Sequence, residues 1–184
     1  MSKIAFIFPG QGAQKTGMGK DFYEQSQRAA EIYDAASKRL KEEMEIDIRT
    51  LCFDENDKLD QTAYTQAALV TTCLAMARTL EEKGVRADVT AGLSLGEYCA
   101  IAVAGGMSDL DAVWAVRKRG VLMEEAVPTG VGAMAAVLGL SAEQIEKVTE
   151  EIKGVTVANY NCPGQVVITG ETDRCGCGKK KSYW

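Results

Sequence analysis

Histidine is absent from the 184 residues. No imidazole in this chain can act as a general base or hold a metal, which removes the commonest partner of a nucleophilic serine. Proline is scarce, with three residues, and each stands at a break: Pro9 and Pro163 lead directly into glycine, and Pro128 ends a helical pattern. No apolar run approaches the length of about 18 residues that a membrane span needs, and the run Ile4 to Phe8 is too short for a secretory signal. A cytoplasmic protein without membrane contact is the expectation. With 46% hydrophobic and 26% charged residues the composition is that of a globular domain rather than a disordered chain. The net charge of −5 speaks against a partner recognised by phosphate neutralisation, so no nucleic acid is expected.

Six cysteines are present, but Cys73 and Cys99 fall in apolar helical patterns and Cys52 and Cys162 stand alone, which reads as reduced thiols. Cys175 and Cys177 are closely spaced. Two thiols without further ligands are a weak metal signature, so neither metal nor cofactor is expected.

Lys3 to Phe8 reads as a short buried strand stopped by Pro9-Gly10. A helix is expected from Asp21 to Leu40 on the face Phe22, Ala29, Tyr33, Ala36 and Leu40, and another through Leu69, Cys73, Met76, Ala77 and Leu80, closed by Gly84. Ala87 to Ala91 reads as a strand entering Gly92-Leu93-Ser94-Leu95-Gly96. Ser108 and Asp111 open a helix toward Pro128 that is apolar almost all round and therefore expected to be buried. After Pro128 the pattern becomes strand (Gly132 to Leu140), helix (from Ser141, with Gln144, to Lys153), strand (Val155 to Tyr160), turn and strand (Gln165 to Thr169). That β-α-β-β order is two thirds of a split β-α-β-β-α-β unit.

The Gly-x-Ser-x-Gly run places Ser94 on a strand-to-helix turn with its hydroxyl exposed, and aims the Leu95 N–H at a developing oxyanion. The bland reading is a turn with a capping serine. Gly10-Gln11-Gly12 invites a phosphate-cradle reading, but Lys15 stands where a third glycine belongs. Arg117 and Arg119 share a helix, and spacing does not say which points inward; one guanidinium fork could grip a carboxylate, or both could be surface arginines. Glu97, near a helix N-terminus, is placed to favour the helix dipole and poorly placed as a base.

Phe6-Ile7-Phe8-Pro9-Gly10-Gln11-Gly12, Gly92 to Tyr98, Arg119-Gly120, Glu125-Ala126-Val127-Pro128, Gly132 to Ala136 and Asn159 to Ile168 follow one another in an order that resembles the malonyl-CoA:acyl carrier protein transacylases of bacterial fatty-acid synthesis, and more broadly the acyltransferase domains of polyketide synthases. The resemblance implies an α/β fold: an α/β-hydrolase-like large subdomain, incomplete here, over residues 1–127, and part of a ferredoxin-like small subdomain over 128–172. The remainder, 173–184, is an atypical tail, of which Cys175 to Trp184 is expected to be an out-of-frame or assembly-derived ending. The resemblance further implies ping-pong transfer of malonyl from malonyl-CoA to the thiol of acyl carrier protein through a Ser94 ester. Gln11 and Leu95 then mark the oxyanion hole, a buried Arg119 binds the malonyl carboxylate, and Asn161 lies near the cleft. Many members carry histidine where this chain has Leu93, and the family's basic histidine has no counterpart here. A binding-only fragment and a serine esterase are the competing readings.

Overall fold

The computed structural model describes residues 3–128 and 130–175, which divide into two compact units between Glu124 and Glu125. Of the expected atypical tail, only residues 173–175 are described; Cys177 lies outside the described residues. In the first unit, β1 (Ala5–Phe8) and β2 (Val89–Gly92) pair in parallel, Ala5 opposite Val89 and Phe8 opposite Gly92. Around them run α1 (Lys20–Gln25), α2 (Gln27–Leu40), α3 (Ile48–Phe53), α4 (Thr62–Glu82), α5 (Gly96–Val103) and α6 (Asp109–Ala126). The second unit holds β3 (Gly132–Leu138), α7 (Ala142–Glu151), β4 (Val155–Cys162) and β5 (Gln165–Glu171), with the antiparallel order β3-β5-β4. The chain is therefore α/β, and its second unit runs in the order β-α-β-β.

The core of the first unit is built on α4, which buries residues on every side between Thr65 and Thr79. Small residues allow this. Alanine and threonine alternate with Leu69, Val70 and Leu74, so neighbouring helices approach closely all round. Tyr33 of α2 is completely buried against it, and its hydroxyl shares a 2.7 Å hydrogen bond with Thr72 Oγ1. Gly84, at a φ of 84°, ends the helix: its own N–H donates to Glu81 and that of Val85 donates to Leu80, so the last carbonyls are satisfied. The far ends of three helices are tied together by Arg78 of α4, which donates to both carboxylate oxygens of Asp109 and to the Ala102 carbonyl of α5.

Three expectations need correction, and one helix lies outside them. The helix expected over 21–40 is two helices. Ser26 takes extended backbone between them and its Oγ accepts from Ala29 N at 3.2 Å, capping α2, while also bonding Thr79 Oγ1 at 2.9 Å. The short helix α3, opened by an Asp47 side chain that accepts from Arg49 N, was not expected at all. β1 is not a buried strand: Phe8 is buried and Phe6 packs on the core, but Ile7 is 78% exposed because α5 packs on one face of the two strands only. Finally, α6 is buried along a single stripe, Ala112, Val113, Val116, Arg117 and Gly120, while Leu122 and Met123 are exposed.

The Ser26 cap carries a prediction. Ser26→Ala removes a cap and a buried side-chain bond together, and is expected to destabilise the first unit by about 1–2 kcal/mol. A urea titration of the two chains side by side checks it; an unchanged midpoint would mean that α1 and α2 do not depend on the break.

In the second unit Ser141 and Gln144 form both halves of a capping box at the start of α7, as the sequence pattern indicates. Irregularities in the β4–β5 register fall between Val157 and Asn159 and again between Tyr160 and Cys162, so Asn161 sits at a bulge. Among the described residues, Cys52, Cys73, Cys99 and Cys162 are free thiols. No helix among the described residues is long and apolar enough to cross a membrane.

Candidate active site

β2 delivers the chain into a turn that few sequences could make. The Leu93 N–H donates to the Phe8 carbonyl at 3.0 Å, Ser94 adopts a φ of 52°, and α5 begins two residues later. Ser94 is the only non-glycine residue with positive φ among the described residues. That conformation costs a residue with a side chain on the order of 1 kcal/mol or more. The flanking glycines make it possible. A Cβ on Gly92 would lie 2.0 Å from the Gly96 carbonyl carbon, and one on Gly96 would lie 2.6 Å from the carbonyl oxygens of Phe8 and Pro9. Leu95, with none of its surface exposed, anchors the far side of the turn while Ser94 stays at the surface. Among the described residues no acceptor takes the Leu95 N–H, which stands at the N-terminal end of α5. Glu97 lies in the first turn of that helix and is exposed.

Arg119 reaches this turn from another element, and both it and Gln11 are held by α4. Gln11, in the loop after β1, donates from Nε2 to Thr62 Oγ1 at 3.0 Å. Arg119 of α6 donates from Nη1 to Gln66 Oε1 at 2.7 Å and from Nη2 to Ser94 Oγ at 3.1 Å. Thr62 and Gln66 are one helical turn apart, so a single face at the start of α4 holds both groups. The helices meet closely there because position 120 lacks a side chain: a Cβ on Gly120 would be 2.7 Å from the Thr62 carbonyl oxygen. Neither Thr62 nor Gln66 was singled out from the sequence. The available signal was a glutamine inside an otherwise small and apolar helical run, Gln66-Ala67-Ala68-Leu69-Val70.

The structure separates the two arginines that spacing left undistinguished, and corrects one expectation. The buried one is Arg117, 7% exposed, whose guanidinium donates to the Ala63 and Glu43 carbonyls and lies 4.7 Å from the centre of the Tyr64 ring. Arg119 is half-buried and is the one that reaches the serine. A partly exposed guanidinium beside an exposed hydroxyl can meet an incoming anion; a buried one already engaged by carbonyls and a ring braces the fold.

Leu93, on the turn itself, is 63% exposed. In the loop after β1 the Gly12 N–H is occupied by Gln14 Oε1 at 2.8 Å. Asn161 belongs to the second unit, where its Nδ2 donates to Gln165 Oε1 at 3.0 Å. The first unit thus supplies an exposed nucleophile on a strained turn, an adjacent unpaired N–H and a cation at hydrogen-bond distance. Chemically, this suits addition to a carbonyl whose substituent carries negative charge.

Known proteins match this chain along most of its length. A malonyl CoA-acyl carrier protein transacylase of Bacillus subtilis is 50% identical over 175 residues, spanning 92% of this chain and 54% of the relative. A solved transacylase of the same description from Clostridium perfringens superposes with a TM-score of 0.85 at 41% identity, over 95% of this chain and 55% of that one. Another solved structure, a malonyl-transacylase in complex with its type II polyketide acyl-carrier protein, superposes with a TM-score of 0.83 at 36% identity, over 98% of this chain and 61% of that one. The chain spans about half the length of the curated relatives it matches. Residues 5–176 match the acyl transferase domain family, a stretch that includes both glycines of the turn, Ser94, Gln11 and Arg119, and by that match the chain belongs to this family.

Proposed function

We propose that the chain serves malonyl transfer from malonyl-CoA to the phosphopantetheine thiol of an acyl carrier protein, the activity named for its relatives. The observation that carries the reading is the 3.1 Å bond between Arg119 Nη2 and Ser94 Oγ. Ser94 Oγ attacks the thioester carbonyl and gives up its proton to water or a buffer base; the tetrahedral oxyanion is received by the Leu95 N–H and Gln11; the carbon–sulfur bond then breaks, and the coenzyme A sulfur takes a proton back from that base and leaves as the thiol. The malonyl ester then passes to the carrier-protein thiol by the reverse sequence. Arg119 pairs with the free carboxylate of malonyl, a charge-assisted contact that an acetyl group lacks. Asn161 is carried as a cleft residue without an assigned step. A cytoplasmic role in fatty-acid synthesis belongs to the same reading.

The 184 residues contain no histidine, so nothing in them takes the Ser94 proton as an imidazole would. Loss of one member of a serine–histidine pair typically costs several orders of magnitude in rate. Turnover by this chain alone is therefore expected to be very slow, with acylation of Ser94 accelerated by imidazole added to the buffer. Intact-mass spectrometry after incubation with malonyl-CoA and imidazole checks this. One malonyl group should appear on the wild-type chain and none on Ser94→Ala. Binding of malonyl-CoA without any adduct under these conditions would favour a binding-only chain instead.

A further inference from the structure

We propose that Gln66 is a positioning residue that sets acyl selectivity: its neutral carboxamide fixes the Arg119 guanidinium against Ser94 without neutralising it, leaving the positive charge for an acyl group that bears a carboxylate. The inference rests on the reading of Ser94 and Arg119 given above.

Gln66 is completely buried in the second turn of α4. A buried amide with unmet bonds would cost about 1–3 kcal/mol, so its orientation is dictated by its partners. Those partners are unequal. Nε2 faces Met123 Sδ at 3.2 Å, a weak acceptor, whereas Oε1 accepts from Arg119 Nη1 at 2.7 Å. The strong bond goes to the arginine. Because a guanidinium is planar and rigid, clamping one corner directs the other, and here the other corner meets Ser94 Oγ.

The neutrality of the clamp is its second property. Elsewhere in the unit, arginines are held by carboxylates: Arg78 pairs with Asp109 and Glu81, and Arg49 with Asp34 and Asp47. Among the described residues, Arg119 donates instead to two neutral groups, an amide and a hydroxyl. Glutamate could reach the same distance from Nη1 and would hold the guanidinium at least as firmly. It would also place a negative charge where an incoming carboxylate must approach, and repulsion between two carboxylates in a partly desolvated site is costly. Glutamine keeps the geometry and spares the charge.

The test is calorimetric binding of malonyl-CoA and of acetyl-CoA to the wild-type chain and to Gln66→Glu, Gln66→Ala and Arg119→Ala, each checked for unfolding temperature. The ratio of the two affinities is the readout, because a purely structural defect weakens both ligands together. Gln66→Glu is expected to lower the malonyl preference about tenfold, the size of one charge-assisted bond. Gln66→Ala lowers it as well, by freeing the guanidinium. Both Gln66 variants keeping the wild-type ratio while Arg119→Ala loses it would overturn the role of Gln66 and leave that of Arg119 standing. A wild-type ratio in Arg119→Ala would instead overturn the underlying reading of Arg119.

Discussion

Gly92→Ala is expected to destabilise the first unit by more than about 3 kcal/mol, at or beyond the upper end of overpacking costs, and to remove acylation of Ser94 with it. The added Cβ would lie 2.0 Å from the Gly96 carbonyl carbon and 2.3 Å from Glu97 N. Both are backbone atoms at the start of α5, so no side chain can swing aside. Relief requires moving α5 away from β2, and α5 cannot move freely: Leu95 and Cys99 are fully buried, and the backbone at Gly96 lies so near the Phe8 and Pro9 carbonyls that not even a Cβ fits between them. Net stabilities of about 5–15 kcal/mol leave little reserve for such a change. Gly84→Ala is the matched control. It imposes a side chain at a φ of 84° but meets nothing within 4 Å, so only the backbone penalty of about 1 kcal/mol applies. Urea titrations of the three chains give the comparison. Equal midpoints for the two variants would show that steric closure of the turn is not what Gly92 provides.

Arg119→Ala carries the second large effect, and Arg117→Ala supplies its contrast. Loss of a charge-assisted bond to malonyl is worth about 1.5–3 kcal/mol, so affinity for malonyl-CoA is expected to fall about ten- to hundredfold. Acetyl-CoA, which has no carboxylate to lose, should be affected far less. Arg117 lies only two residues away, yet its guanidinium is spent on the Ala63 and Glu43 carbonyls and the Tyr64 ring. Its removal should lower the unfolding temperature while leaving the preference between the two thioesters unchanged. Calorimetric titration and thermal unfolding of both variants distinguish the roles. Exchanged phenotypes would assign the carboxylate to Arg117. A serine esterase would differ again, hydrolysing uncharged esters at a rate that Arg119→Ala leaves alone.

Much of this arrangement was legible in the residues because it depends on local rules. A short apolar strand, two glycines around a serine and a small-residue helix define the turn at Ser94, and the Ser141–Gln144 capping box marks the start of α7. Turn chemistry at Gly84 likewise predicts the end of α4. What periodicity could not supply was anything decided by partners distant in sequence. Ser26 breaks the first long helical pattern because Thr79, on another helix, accepts the same hydroxyl's company. The exposure of Ile7 follows from which faces of β1 and β2 are covered, and an apolar run of four residues looks the same either way. Arg117 and Arg119 lie about 200° apart around a helix at about 100° per residue, yet both guanidiniums reach α4, at the Ala63 carbonyl and at Gln66, and which of them is buried is decided by packing that periodicity does not encode. For the same reason the family resemblance named Arg119 without revealing that Gln66 holds it.

The central claim is that Ser94 is the nucleophile and that Arg119 selects a carboxylated acyl group for it. An equimolar mixture of malonyl-CoA and acetyl-CoA, incubated with the wild-type chain in imidazole buffer and followed by peptide-level mass spectrometry, tests both parts at once. Malonyl on the peptide containing Ser94, in large excess over acetyl, is the predicted result. Acyl groups on other residues, or malonyl and acetyl in equal amounts on Ser94, would contradict it.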